Sequence, residues 1–179
     1  MTTRRPFPLA KVYGLLETGP VILLTTAHKE RRNVMTLSWH LMMEFEPPLV
    51  GCIVSDRNYS FSLLKAAKSC VINIPTVELA EKVVRCGNTT GARTDKFKRF
   101  GLTPLPAQKV AAPLIGECYA SLECRVADTR MVAKYGLFVL EVVQAWIDPG
   151  VKDPRTLHHR GHGRFMVGGK TIRLRSRMK

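Results

Sequence analysis

Asn33-Val34-Met35-Thr36-Leu37-Ser38-Trp39-His40 lies between two apolar stretches and alternates apolar with polar side chains. Successive side chains of a strand point to opposite faces, so Met35, Leu37 and Trp39 share one side and Thr36, Ser38 and His40 the other. The run reads as one strand, with a face that packs and a hydroxyl-bearing face suited to a flat, polar-edged ligand. Trp39 also suits core packing, because its face is that of Met35 and Leu37.

Upstream, Pro20 to Thr26 is rich in β-branched and aliphatic residues, and the polar segment Ala27 to Arg32 connects it to the opening run as an antiparallel hairpin. Downstream, Pro47-Pro48 ends the second strand, because proline has no ladder N–H, and Leu49 to Ser55 supplies a third. Asp56-Arg57-Asn58-Tyr59-Ser60 carries capping residues and opens a short helix with Lys65 and Lys68 in its last turn. Ser69 to Thr76 returns as a strand, and Val77 to Cys86 reads as a second helix closed by Gly87. Gly91 to Phe97 opens a further helix with Thr94 as its cap. The loop from Gly101 through Pro113 is long enough to wrap a barrel or a partner subunit.

Glu117 to Val132 and Tyr135 to Asp148 are strand-like, with Lys134-Tyr135-Gly136 as the turn between them. The chain is therefore expected to be mainly β with short helices as inserts. Pro149 onward reads as loop until Arg164-Phe165-Met166-Val167. Thr171 to Lys179 alternates basic and mostly apolar residues, either as a terminal strand with one basic face or as a frayed basic tail.

At 179 residues the sequence has the size of one domain, residues 1–179, with a basic C-terminal segment from about residue 164. A hydrophobic content of 45% and a charged content of 23% describe a soluble protein, and no apolar run reaches the roughly 20 residues of a membrane span. The basic start at Arg4-Arg5 lacks the apolar core and cleavage site of a secretory signal, so a cytoplasmic protein is expected. Cys52, Cys70, Cys86, Cys118 and Cys124 form no Cys-x-x-Cys pair and read as thiols rather than as disulfides or metal ligands. A net charge of +14 favours anionic partners, whether nucleotide cofactors, acidic proteins or nucleic acid. No finger, helix-turn-helix or aromatic RNA-binding signature accompanies that charge, so nucleic acid is the weakest of the three readings.

Ser55, Asp56, Arg57, Asn58 and Ser60 fall at a strand end and a helix start, where free backbone N–H groups and the positive helix end favour phosphate. The same residue types also cap ordinary helices. Taken with the hydroxyl face of Thr36 and Ser38, they form a larger pattern. It comprises Asn33 to Trp39, Pro47-Pro48, Ser55 through Ser60, Val71-Ile72-Asn73-Ile74-Pro75, and Gly91 to Asp95-Lys96-Phe97. In this order and spacing the sequence resembles the flavin reductase-like family.

That resemblance implies a split β-barrel, FMN or FAD as cofactor, and a homodimer. It places Asn33, Thr36, Leu37, Ser38 and Trp39 near the flavin ring, largely through backbone amides. Ser55, Arg57, Asn58 and Ser60 fall near the ribityl phosphate, with Lys96 as a further contact. NADH or NADPH would be a transient substrate stacking over the flavin. An electron-accepting protein or a monooxygenase would be the partner.

The expected activity is reduction of the flavin by NAD(P)H and delivery of electrons to an acceptor, the chemistry residing in the flavin rather than in a protein acid or base. The alternative is an FMN-binding electron carrier or binding protein without NAD(P)H activity. His158-His159-Arg160-Gly161-His162 lacks the separated ligand sets of a zinc site, and no metal is expected. These residues border the flavin or a nicotinamide phosphate, or form an exposed basic loop.

Overall fold

The computed structural model describes residues 19–175 of the chain. Strands β1 (Ile22–His28) and β2 (Arg31–Leu37) form the expected hairpin, with Ile22 opposite Leu37 and His28 opposite Arg31. Lys29 takes a left-handed φ of 53° in the tight connection, as short hairpin turns require.

The opening run is not one strand. Proline at position 20 has no N–H, so the β1 ladder stops near Ile22 and β2 loses its partner after Leu37. Ser38 and Trp39 belong to neither strand, and the chain resumes as β3 (His40–Glu44). It continues through β4 (Leu49–Ile53), helix α1 (Tyr59–Ala67) and β5 (Ser69–Ile74). A 3-10 turn (Val77–Leu79) leads into α2 (Ala80–Gly87), followed by α3 (Lys96–Phe100). Short β6 (Pro104–Leu105) and β7 (Leu114–Ile115) pair with each other before β8 (Ala120–Asp128), α4 (Val132–Tyr135) and β9 (Leu137–Ile147). The hairpin of β10 (Leu157–His159) and β11 (Phe165–Val167) comes last.

Seven of these strands form one antiparallel sheet in the order β2-β1-β5-β8-β9-β4-β3. β2 and β3 are thus its opposite edges, although only Ser38 and Trp39 separate them. Three Cα–Cα steps reach at most about 11 Å, so the sheet must curl until its edges meet. The result is a split β-barrel. His40 Nε2 donates to the Pro20 carbonyl at 2.7 Å, tying the two edges near the split, and Ile53 N–H of β4 donates to the Trp39 carbonyl at 3.0 Å.

β1 is buried on both faces, which is why its sequence is a continuous apolar run instead of an alternation. Ile22 and Leu24 join Met35, Leu37, Cys52, Ile72, Phe138 and Leu140 in one core cluster, which also receives Leu64 from α1. Val21, Leu23 and Val34 face the other way, against Val83 and Cys86 of α2 and Phe97 and Phe100 of α3. Fully burying each such side chain contributes about 1.5–3 kcal/mol.

The helices show where local sequence signals yield to context. Asp95, not Thr94, caps α3: its Oδ1 accepts from Phe97 N–H at 3.0 Å and Lys98 N–H at 3.2 Å, where a carboxylate also suits the positive helix end. Gly87 is the last residue of α2 rather than its stop, and the expected turn at Lys134-Tyr135 lies within α4, ended by Gly136 at φ 65°. His158 and His159 sit in β10 instead of a loop, with His158 Nε2 2.8 Å from Thr156 Oγ1 and the His159 ring tilted against Phe165. The loop through Pro113 wraps the barrel, Ala112 packing on Ala27 and Val71. No terminal strand forms at residues 171–175, and the rest of the basic tail lies outside the described residues.

Candidate functional site

The break between β2 and β3 opens onto a cavity of about 250 Å³ lined by Met35, Thr36, Leu37, Ser38, Trp39, Ile53, Ser55 and Asn58. A second cavity of about 200 Å³ shares Met35, Thr36 and Asn58 with it and adds Asn33, Arg57, Lys96 and the polar loop from Asn88 to Gly91. Together they form one groove along the edge of the barrel. Its first part is a slot with apolar walls, and its second is rich in hydroxyl, amide and cationic groups.

β2 supplies the floor. On an edge strand every second peptide group points away from the sheet. Lys96 Nζ donates to the outward carbonyl of Val34 at 2.9 Å, so by the same alternation Thr36 turns its N–H and C=O toward the groove. The Thr36 hydroxyl donates instead to the Val83 carbonyl of α2 at 2.6 Å. Thr36 therefore presents peptide groups to the groove, while its side chain anchors α2.

The start of α1 supplies the far wall. Asn58 N–H donates to the Ser55 carbonyl at 2.9 Å and Arg57 N–H to Ser55 Oγ at 3.3 Å, folding the strand end into the helix. Asn58 occupies the N-cap position but its side chain makes no capping bond, which leaves its amide to the groove. Arg57 is exposed beside it. Ser60 lies beneath the lining: it is fully buried, and its Oγ accepts from Asn33 Nδ2 at 2.9 Å and Thr26 Oγ1 at 3.3 Å.

Lys96 is 4% exposed and its ammonium is bonded to two carbonyls, Val34 at 2.9 Å and Cys86 at 2.7 Å. Burial lowers its pKa below the usual lysine value, with Cys86 opposing. It fastens β2 to the end of α2, and its charge lies just behind the polar part of the groove. Burial pushes the Cys86 thiol up to about 11 despite nearby Lys96, Arg85 and Lys82, so this sulfur stays protonated at neutral pH and is no nucleophile.

Nine of the ten residues singled out in the sequence line the groove, and Ser60 supports it from below. Trp39 is 55% exposed at its rim, because the chain has left β2 before reaching it. The sequence reading gives no site role to Tyr59 or to the loop Asn88-Thr89-Thr90-Gly91, which also line the groove. That polar, glycine-containing stretch just after a helix was the available signal. A Cβ on Gly91 would lie 1.9 Å from Asn33 Oδ1, so only glycine lets the loop close this tightly on β2.

Residues 16–166 match the family described as flavin reductase like domain. The chain belongs to the flavin reductase-like family. Among relatives of this family member, the Escherichia coli protein YddH is 32% identical over 93% of this chain and 96% of its own length. An FMN-binding domain of a flavin reductases-like enzyme from Shewanella baltica superposes with a TM-score of 0.83 at 26% identity, covering 94% of this chain and 96% of that one. Flavoredoxin of Desulfovibrio vulgaris shares the fold, with a TM-score of 0.84 at 20% identity over 97% of each chain.

Proposed function

We propose that the protein binds FMN in the groove and uses it to carry electrons from NADH or NADPH to an acceptor. The observation that carries this reading is the groove's division into an apolar slot floored by strand-edge peptide groups and a cationic, hydroxyl-rich end. A planar, polar-edged ring joined to a phosphate needs those two environments next to each other. The FMN-binding domain from Shewanella baltica supports the choice of ligand.

In this reading Leu37, Ser38 and Trp39 border the ring, and the Thr36 peptide group pairs with its polar edge. Asn58 and Ser55 hold the ribityl chain, while Arg57, Thr89 and Thr90 hold the phosphate. Asn33 and Lys96 keep β2 and the Asn88 to Gly91 loop in register, and Ser60 fixes Asn33. Bound flavin supplies hydride acceptance and the release of one or two electrons. The chain supplies binding, orientation and a face left open to the nicotinamide.

The reading includes a second copy of the chain. Leu41, Met42, Met43 and Phe45 are all exposed on or next to β3, an edge strand that a monomer would leave bare. The natural acceptor is free flavin, a protein or a monooxygenase component. We place the protein in the cytoplasm, in keeping with five free cysteines. No helix of the described residues is long and apolar enough to cross a membrane.

Titration with FMN, followed by flavin fluorescence, tests the site. Quenching is expected for the native chain, and Arg57→Ala with Asn58→Ala is expected to weaken binding about tenfold or more, the loss of one charged and one neutral hydrogen bond. A native protein that leaves FMN fluorescence unchanged would falsify the reading. Bound FMN that neither NADH nor NADPH reduces would make the protein an electron carrier instead.

A further inference from the structure

Between α1 and the connection from β8 to β9 lies a cavity of about 310 Å³ that shares no lining residue with the groove. Its floor is apolar. Leu64 and Phe138 are fully buried there, and the Phe61 ring stands edge-on to Phe138 with centroids 5.5 Å apart. Val126 and Val132 complete the apolar lining. All five residues belong to the main core of the barrel or pack against it, so the cavity is an unfilled inlet of that core. Close-packed interiors seldom leave a space so much larger than a water molecule.

The mouth is cationic. Lys65, Lys68, Thr129 and Ala133 line it and are exposed. Among the described residues, neither ammonium has an ion-pair partner and no carboxylate lines the cavity. Asp128, beside Thr129 in sequence, is paired with Arg130 at 2.6 Å. The C-terminal end of a helix carries the equivalent of about −0.5 charge, so two ammoniums at the end of α1 leave the mouth positive. Lys68 ends α1 at a left-handed φ of 52°, where glycine is the usual residue, and so a cation stands at the mouth in place of a bare backbone turn.

An apolar inlet closed by two cations and a hydroxyl matches a molecule with an apolar body and one anionic end. We propose that this cavity binds a medium-chain monocarboxylic acid, its chain in the inlet and its carboxylate at Lys65 and Lys68. A dry cavity of about 150 Å³ is enough for the six carbons of benzene, so this one has room for a chain of about eight. The acid would lie at the opposite end of α1 from the groove, about 13 Å along a helix of nine residues. The proposal is independent of the flavin reading of the groove.

The experiment titrates the full chain calorimetrically with octanoate, 1-octanol and acetate, in the native form and as the double variant Lys65→Gln, Lys68→Gln. Native protein is expected to bind octanoate saturably, and octanol and acetate each about tenfold or more weaker, one lacking the charge and the other the chain. The variant is expected to lose about tenfold or more of the octanoate affinity, while its FMN affinity stays within about twofold because neither lysine lines the groove. Excess FMN is expected to leave octanoate binding to the native chain unchanged. No saturable octanoate binding, as when another part of the chain or a second copy covers the cavity, overturns the proposal. So does equal octanoate affinity in the variant, acetate binding as tight as octanoate, or displacement of octanoate by FMN.

Discussion

Gly91 has no side chain to offer a ligand, yet the groove depends on it. With a Cβ 1.9 Å from Asn33 Oδ1, Gly91→Ala forces either the loop or the Asn33 amide to move, and that amide is held by Ser60. The substitution is expected to cost about 1–3 kcal/mol in urea denaturation, the range of overpacked cores, and to weaken FMN binding in the same preparation. At this scale the residues singled out in the sequence do come together at the groove, for partly different reasons. The alternation of Thr36 and Ser38 marked a hydroxyl-bearing face, but the Thr36 hydroxyl is committed to Val83, 47 positions away, and the peptide group faces the groove. The resemblance implies Ser60 and Lys96 as ligand contacts, whereas both side chains bond to the protein itself. Those partners come from other elements, so no local pattern could display them.

Among the elements, β8 carries a buried carboxylate that clasps the long loop to the barrel. Glu123 accepts from Gln108 N–H at 3.0 Å, Lys109 N–H at 2.5 Å and Trp146 Nε1 at 2.8 Å. Burial pushes its pKa up, but these donors together with Val110 N–H outweigh it and hold the carboxyl below the ordinary 4.5. A lowered folded pKa means stability that is complete above pH 4.5 and lost as the pH falls through the folded value. Thermal melts are expected to drop on acidification through that window, and Glu123→Gln, which costs about 1–3 kcal/mol at neutral pH, is expected to flatten the dependence. The long strands were legible because β1, β5 and β9 are largely apolar runs and β8 alternates apolar with polar residues. α3 was legible as a helix though not its cap, Asp95, whereas the four-residue α4 was not, being a single turn too short for a helical period to show. The break after Leu37 escaped because it depends on Pro20, which lies across the ladder and not beside it in sequence.

For the whole molecule, the proposed dimer and the barrel's closure bear on each other. Leu41 and Phe45, in and just after β3, are 53% and 87% exposed, and β3 follows directly from the wall of the groove. Leu41→Glu with Met43→Glu is expected to convert a dimer into a monomer in sedimentation velocity, and to loosen FMN binding through the neighbouring Trp39. A native chain that sediments as a monomer at micromolar concentration would remove the dimer from the proposal. The connection through Ser38 and Trp39 has a further consequence. It laces the two margins of a rolled sheet at Leu37 and His40 with so little slack that the seam cannot gape at that end. The slot beside it therefore has a width set by covalent chain, not by a lid that closes.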